Sequence, residues 1–474
     1  MQVLVKPDTE IFRLWNKQIP SDSITYKPIK YLKHRVVEED NIVVLENLLT
    51  IEVIFISVEE YNSMMNDTLK NTNKFLYQYL IKEWFLIPND MDERSMVHIY
   101  RNKTRPVNLF DEYINQFVIL TTTGCNARCS YCYEKGSKPV FMTEQTAIDV
   151  ADYIIKKSDP NIKTHIRWFG GEPIYNAKAI DAISRRLKEK GRTFWSSIIT
   201  NAYEFDDDMA ERAKSLWNLK RAQVTLDGTH DVHNKVKNFK VAKDDPFYRT
   251  LNNIDRLCQK DIEVSVRLNV ERENVEDMRD LITYLGKRYK GKYDNKLSIY
   301  TTPIFEGDFV GFVQRDKEWR NYVYKMCNVL EDYIRDCGLN TGRKLQIKSN
   351  TIYNTTQCMA DFPQSQLIAP DGSLGVCEHH IEDSFFGSIY GDIKDFKWDE
   401  VTKFRELADE YPECKDCWYY PRCIRLKLCP TNVLCNEGVM MDKDYLLDKS
   451  LYNTYLIYKT NKGAKSDECD KTSE

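Results

Sequence analysis

From residue 117 onward the chain repeats one alternation of hydrophobic patterns. FVILTTT, THIRWFG, FWSSIIT, AQVTLDG, EVSVRLNV and KLSIYTTP read as strands by their β-branched and aromatic content. Helix-length amphipathic segments separate them; TEQTAIDVADYIIKK is one, with Thr143 placed to cap its start. Strands that alternate with helices predict parallel pairing through crossovers. The expected fold class is therefore α/β, an open or partial (β/α)6 barrel, in which chemistry gathers at the C-terminal strand ends.

Residues 26–90 read as a separate unit. Short β-like runs at 29–35, 41–46 and 51–56 precede helical patterns near 57–66 and 72–85 and then WFLIPND, the order of a winged helix-turn-helix. The polar stretch DMDERSMVHIYRNKTRPVNLFDEY reads as a linker, and the tail KTNKGAKSDECDKTSE as disordered. The domains expected are 1–110 (N-terminal unit plus linker), 111–305 (barrel), 306–357 (helical bridge), 358–440 (cysteine-rich) and 441–474 (helix and tail).

Composition narrows the class. With 68 basic and 72 acidic residues the chain is near neutral, so no nucleic-acid or membrane-surface partner is implied. The N-terminal unit is more acidic than basic, which disfavours a DNA-binding role. No apolar run approaches ~18 residues and the start lacks a signal-peptide core, so a cytoplasmic protein is expected. Fourteen cysteines in such a compartment argue for metal ligation rather than disulfides.

Their distribution is uneven. Three sit at 125–132 and seven between 358 and 435. Cys258 and Cys327 fall in helical patterns and read as buried thiols; Cys337 and Cys469 are also single. Cys125, Cys129 and Cys132 are spaced C-x3-C-x2-C directly after the first strand. A cubane [4Fe–4S] cluster normally takes four thiolates, so three leave one iron open to a small molecule. The alternative is a zinc knuckle, which needs a fourth ligand nearby; no Cys or His follows before His165. One βα unit later comes Gly170-Gly171-Glu172-Pro173, where glycines let a ligand approach the backbone and a carboxylate can pair with an ammonium.

These two motifs together resemble the radical SAM superfamily. The resemblance implies a [4Fe–4S] cluster on Cys125, Cys129 and Cys132, with Tyr131 against the adenine of S-adenosyl-L-methionine (SAM). It implies that Gly170, Gly171, Glu172 and Pro173 bind the methionine amino group. Thr200 and Asn201 would lie near the ribose, and Arg267 and Asn269 near the SAM carboxylate or sugar; an ordinary strand arginine is the plain alternative for Arg267. A reduced cluster would cleave SAM to a 5′-deoxyadenosyl radical that abstracts hydrogen from an unactivated carbon.

The later cysteines resemble a SPASM domain, with a G-x4-C ending at Cys377 and then Cys414-x2-Cys417-x5-Cys423-x5-Cys429-x5-Cys435. The last gap is longer than the family's usual one. The resemblance implies two auxiliary [4Fe–4S] clusters, three clusters in all: Cys358, Cys377 and Cys429 on one, Cys414, Cys417, Cys423 and Cys435 on the other. The first would have an open iron unless Cys327 or Cys337 joins it. Structural zinc sites are the alternative for all seven. Glu378 stands where sulfatase maturases carry a proposed base, with a surface carboxylate as the plain reading; His379 and His380 follow it. Asp227-Gly228 also matches a family stretch, but the family's Asp-x-x-Arg is here Asn234 to Lys237, so Asp227 reads as a turn former.

SPASM-containing radical SAM proteins act mostly on peptides, and the N-terminal unit resembles a leader-recognition element that adds a peptide as an edge strand. The expected function is a peptide maturase that installs an intramolecular crosslink, a cysteine thioether to carbon in first place. Its expected partners are a precursor peptide with a leader and an electron donor such as flavodoxin or ferredoxin. The alternatives are a formylglycine-generating sulfatase maturase or another side-chain oxidase, and, in another class, a non-enzymatic iron–sulfur carrier.

Overall fold

The computed structural model describes residues 2–5, 18, 20–104, 113–132, 138–293, 295–304, 317–342, 359–362, 364–378, 384–406, 412–423 and 437–469. The N-terminal unit is a four-stranded antiparallel sheet and a helical layer. Its strands are β1 (Gln2–Val5), β3 (Leu32–Val37), β4 (Ile42–Asn47) and β5 (Val53–Ser57), in the order β1-β5-β4-β3. β2 (Tyr26–Pro28) and β6 (Leu86–Pro88) form a separate pair. Ser57 ends β5 and opens helix α1 (Val58–Met65) through a capping box with Glu60. Helices α2 (Leu69–Thr72) and α3 (Lys74–Lys82) follow, and Leu76, Leu80 and Ile81 of α3 pack on Val43, Leu45 and Ile54 of the sheet.

The predicted linker contains helix α4 (Glu93–Thr104). Met96 and Val97 explain it: both are buried against Tyr31, Ile87 and Tyr420, an apolar contact that the polar composition of the stretch hides. The C-terminal helix runs Glu437–Cys469, beyond the point where a disordered tail is expected. It packs on the helix Lys317–Asp336 and on β3 and β4. Lys33 pairs with Asp444 at 2.5 Å, Lys449 with Asp332 at 3.0 Å, and Arg35 with Asp448.

The central sheet carries the site. β7 (Gln116–Thr122), β8 (Thr164–Gly170), β9 (Phe194–Thr200), β10 (Leu219–Leu226), β11 (Glu263–Val270) and β12 (Leu297–Pro303) are neighbours in chain order, all parallel. These are the six strands the periodicity predicts. Beyond β7 the sheet continues through β13 (Ser365–Ile368), parallel to it, and the antiparallel β14 (Ser373–Gly375) and β15 (Phe385–Ser388). Crossover helices α5 (Glu144–Lys157), α6 (Ala177–Glu189), α7 (Asp207–Ser215), α8 (His230–Lys237), α9 (Pro246–Gln259) and α10 (Val275–Tyr289) cover one face. Thr143 caps α5 as expected, its Oγ1 accepting from the Thr146 N–H at 3.1 Å.

Alternation along each strand explains why this barrel keeps a cavity. Ile166 and Trp168 of β8, and Phe194 and Ile198 of β9, are buried in the core beneath the helices. The alternate positions are His165 and Arg167, then Trp195 and Ser197, and these line a cavity of about 830 Å³. A mostly polar inner face cannot close into a dry core, so the interior stays open. Cys258 and Cys327 are buried in the main core, as their helical patterns predict.

Candidate active site

The loop after β7 carries Cys125, Cys129 and Cys132 to the C-terminal rim of the sheet, and all three line the cavity. Its shape is held from three directions. The Asn201 side chain donates to Asn126 Oδ1 at 2.8 Å, the Lys240 N–H donates to the Asn126 carbonyl at 3.0 Å, and the Arg128 N–H donates to the Lys237 carbonyl at 2.9 Å. Burial, and then the Glu172 carboxylate, push the Cys125 thiol up to about 12, so cluster or metal binding here must release a proton.

Gly170 and Gly171 end β8 beside this loop. Gly170 has φ +122°, and a Cβ there would collide with the Thr122 carbonyl; a Cβ on Gly171 would collide with that of Gly124. We expect Gly171→Ala to displace the cysteine loop and to cost about 1–3 kcal/mol in urea unfolding of the apo-protein. Unchanged stability would show that the loop relaxes freely.

Glu172 is wholly buried. Its Oε1 accepts from Thr200 Oγ1 at 2.7 Å and from the Ile174 N–H at 3.3 Å, and its Oε2 accepts from the Asn201 N–H at 2.7 Å. Desolvation wins over these bonds and raises the carboxyl to about 7. The folded value lies above the ordinary 4.5, so the stabilisation is complete below about pH 4.5 and is lost as the pH climbs through about 7. In the apo-protein this amounts to about 3 kcal/mol, and Glu172→Gln should flatten the profile. A bound ammonium reverses the preference, so SAM should bind more tightly as the pH rises toward 7 and level off above it. A pH-independent affinity would remove Glu172 from that role.

Tyr131 is fixed by a buried network. Its hydroxyl donates to Asp227 Oδ1 at 2.8 Å and accepts from Lys237 Nζ at 3.2 Å. Lys237 Nζ also lies 3.1 Å from Asp227 Oδ2, and the Asn269 side chain donates to Oδ1 at 2.9 Å. Burial alone raises Asp227, but Lys237 and His233 outweigh it and its carboxyl ends below the usual range. Asp227 is therefore more than a turn former: it pairs with the lysine that stands at the family's arginine position. Arg267 Nε donates to Asn269 Oδ1 at 3.0 Å, and both residues line the cavity.

Glu378 follows β14 and reaches the same cavity, its Oε2 lying 3.5 Å from Arg167 Nη1. Cys377 lies beside the barrel core, one residue before it. Cys414, Cys417 and Cys423 lie on successive short turns; Cys414 and Cys417 pack with Tyr420 on Ile29, Leu48 and Ile87 of the N-terminal unit. Beside them Arg422 and Glu46 form a buried pair. Cys358, Cys429, Cys435, His379 and His380 lie outside the described residues. No three metal-ligating side chains among the described residues converge on a single point. A cubane does not ask for that, since each thiolate binds a different iron.

The cavity suits a cluster and SAM on its own chemistry: three thiols on one rim and a buried carboxylate at a glycine turn. Residues 119–285 match the Radical SAM superfamily. They form a radical SAM domain. The chain is 24% identical over 283 residues to the radical SAM cyclopropyl synthase TigE of Paramaledivibacter caminithermalis, covering 53% of this chain and 55% of TigE. It is 24% identical over 162 residues to the sporulation killing factor maturation protein SkfB of Bacillus subtilis, covering 34% of this chain and 37% of SkfB. The chain thus spans about half, or less, of the curated relatives it matches. Among solved structures, anSMEcpe with bound AdoMet superposes with a TM-score of 0.55 at 16% identity, over 72% of this chain and 95% of that one. That likeness supports the radical SAM fold with its parallel-dominated sheet.

The residues that sequence reasoning missed are Lys237, Asn126 and the polar inner face of β8 to β10. Part of the signal for the last was present: His165 and Arg167 alternate in β8, and Arg221, Gln223 and Thr225 in β10, whereas β9 offers only Ser197 between Trp195 and Ile199.

Proposed function

We propose that this protein is a radical SAM maturase that installs an intramolecular crosslink in a precursor peptide. The observation that carries the reading is that Cys125, Cys129, Cys132 and the buried Glu172 open onto one cavity at the C-terminal ends of parallel strands. Bound there, a [4Fe–4S] cluster and SAM supply a carbon radical that takes a hydrogen atom from the peptide. Glu172 would receive the SAM ammonium, while Gly170 and Gly171 admit it to the backbone. The Asp227–Lys237 pair holds the Tyr131 ring at the rim, and Arg267 and Asn269 face the cavity from β11. Glu378 would accept the second hydrogen as a proton from the substrate thiol, and an auxiliary cluster would take the electron released as the carbon–sulfur bond closes.

The bond proposed is a thioether from a substrate cysteine to carbon. The cyclopropyl synthase activity of TigE favours a second reading, closure of a carbon–carbon ring. Both products lose two hydrogens, but only a thioether consumes a thiol, so alkylation of the co-expressed peptide before mass spectrometry separates them. Cys358, Cys377 and Cys429 would hold one auxiliary cluster, and Cys414, Cys417, Cys423 and Cys435 the other. The precursor's leader would add to β3, one of the two edge strands of the N-terminal sheet. A flavodoxin or ferredoxin would supply the electron.

Anaerobic reconstitution followed by iron and 5′-deoxyadenosine assays tests the reading. About twelve irons per chain, with SAM cleavage, are expected. Iron without SAM cleavage would leave the carrier alternative standing, and zinc in its place would overturn both.

A further inference from the structure

Below the cysteines the cavity holds a second polar cluster that the proposed chemistry leaves unused. Strand register sets Arg167 of β8, Ser197 of β9 and Arg221 of β10 in one row, and all three line the cavity. Adjacent strands lie about 4.8 Å apart, so the two arginine Cα atoms are about 10 Å apart with a hydroxyl between them. The row lies three residues before Gly170, roughly 10 Å below the glycine turn.

Two positions deeper, the His165 ring stacks on Trp195 at 3.9 Å, and its Nε2 lies 2.9 Å from Ser197 Oγ. Burial and the two arginines hold this imidazole at about 4, so near pH 7 it is neutral and contributes a hydrogen-bonding edge without a charge. Arg221 sits over the Trp195 ring at 5.8 Å and donates from Nε to Glu263 Oε2 at 2.9 Å. Its two terminal nitrogens make no hydrogen bond among the described residues. Arg167 meets Glu378 only at 3.5 Å, the long end of such pairs. The row therefore attracts carboxylate already and keeps donors in reserve.

We propose that Arg167, Ser197 and Arg221 form a carboxylate subsite that takes an acidic residue of the peptide, a few positions from the one that reacts. The proposal rests on the peptide reading above. A guanidinium fork matches the two oxygens of a carboxylate with two parallel N–H bonds, and with His165 donating through Nε2–H the Ser197 hydroxyl is free to donate a third. An anchor about three extended residues below the glycine turn fixes the register of the peptide, and with it the carbon that faces the radical source.

The test uses reconstituted, SAM-loaded protein and two blocked pentapeptides, Ac-GGEGG-NH2 and Ac-GGQGG-NH2, titrated by calorimetry at low salt. The glutamate peptide should bind about tenfold more tightly, the value of one charge-assisted pair. Arg221→Gln should bring the two peptides within twofold or so of each other, and Arg221→Lys should restore part of the preference without the fork. Equal binding of both peptides by the unsubstituted protein, including no measurable binding of either, overturns the proposal. So does a full preference in Arg221→Gln. SAM cleavage without peptide is measured in parallel on each protein. Because that assay is read separately, a protein that never cleaves SAM refutes the maturase reading, whereas one that cleaves SAM but ignores the glutamate refutes only the subsite.

Discussion

Replacing Lys237 with methionine should destabilise the protein by about 3–5 kcal/mol, the usual cost of stranding a buried charge. Lys237 and Asp227 are 4% and 1% exposed, and their 3.1 Å contact is the only ion pair that either makes among the described residues. Without the ammonium, Asp227 keeps its bonds to Tyr131 and Asn269 but must become protonated or remain an unpaired anion. Thermal midpoints should fall by roughly 10 °C for a domain of this size. The double substitution Asp227→Asn with Lys237→Met should recover most of the loss, because no charge is then left over. If the double variant is as unstable as the single one, packing rather than charge is what the pair supplies. Lys237→Arg is not a safe control, since a guanidinium needs more room than this pocket gives an ammonium.

The second large effect concerns the cysteine triplet. Cys125→Ala should remove about four irons per chain and lower 5′-deoxyadenosine formation by at least about 10³-fold, because no protein group can replace the cofactor's chemistry. Cys429→Ala should behave differently: SAM is still cleaved but no crosslinked peptide appears. Electron paramagnetic resonance of the reduced proteins separates the two cases, since a single cluster signal should vanish in each. Loss of SAM cleavage in both variants, with circular dichroism unchanged, would contradict this division of labour.

The barrel was legible because each of its strands is a contiguous run whose buried face is apolar. The cysteine triplet and the glycine turn were legible because each motif is local in sequence. Lys237 was not. In NKVKNFK it reads as one cation of a solvated face, and only Asp227, ten residues away on the end of β10, makes its burial tolerable. Helix α4 was hidden because two apolar residues, Met96 and Val97, decide it against a polar background. β1 was hidden for another reason: its partner β5 lies about fifty residues downstream, and four residues carry no period long enough to read. The inner row of Arg167, Ser197 and Arg221 depends on the register of three strands, which no single stretch of sequence contains.

The supports of the cysteine loop bear on the order in which the protein matures. Asn201 lies 76 residues beyond Cys125, and the Lys237 carbonyl that receives the Arg128 N–H lies more than a hundred residues beyond that loop. Those struts exist only after β8, β9 and β10 have docked in sequence. A chain emerging from the ribosome therefore presents three thiols on an unbraced loop long before the cradle is finished. A cluster that needs the braced loop would be inserted only once β7, β8, β9 and β10 are in place.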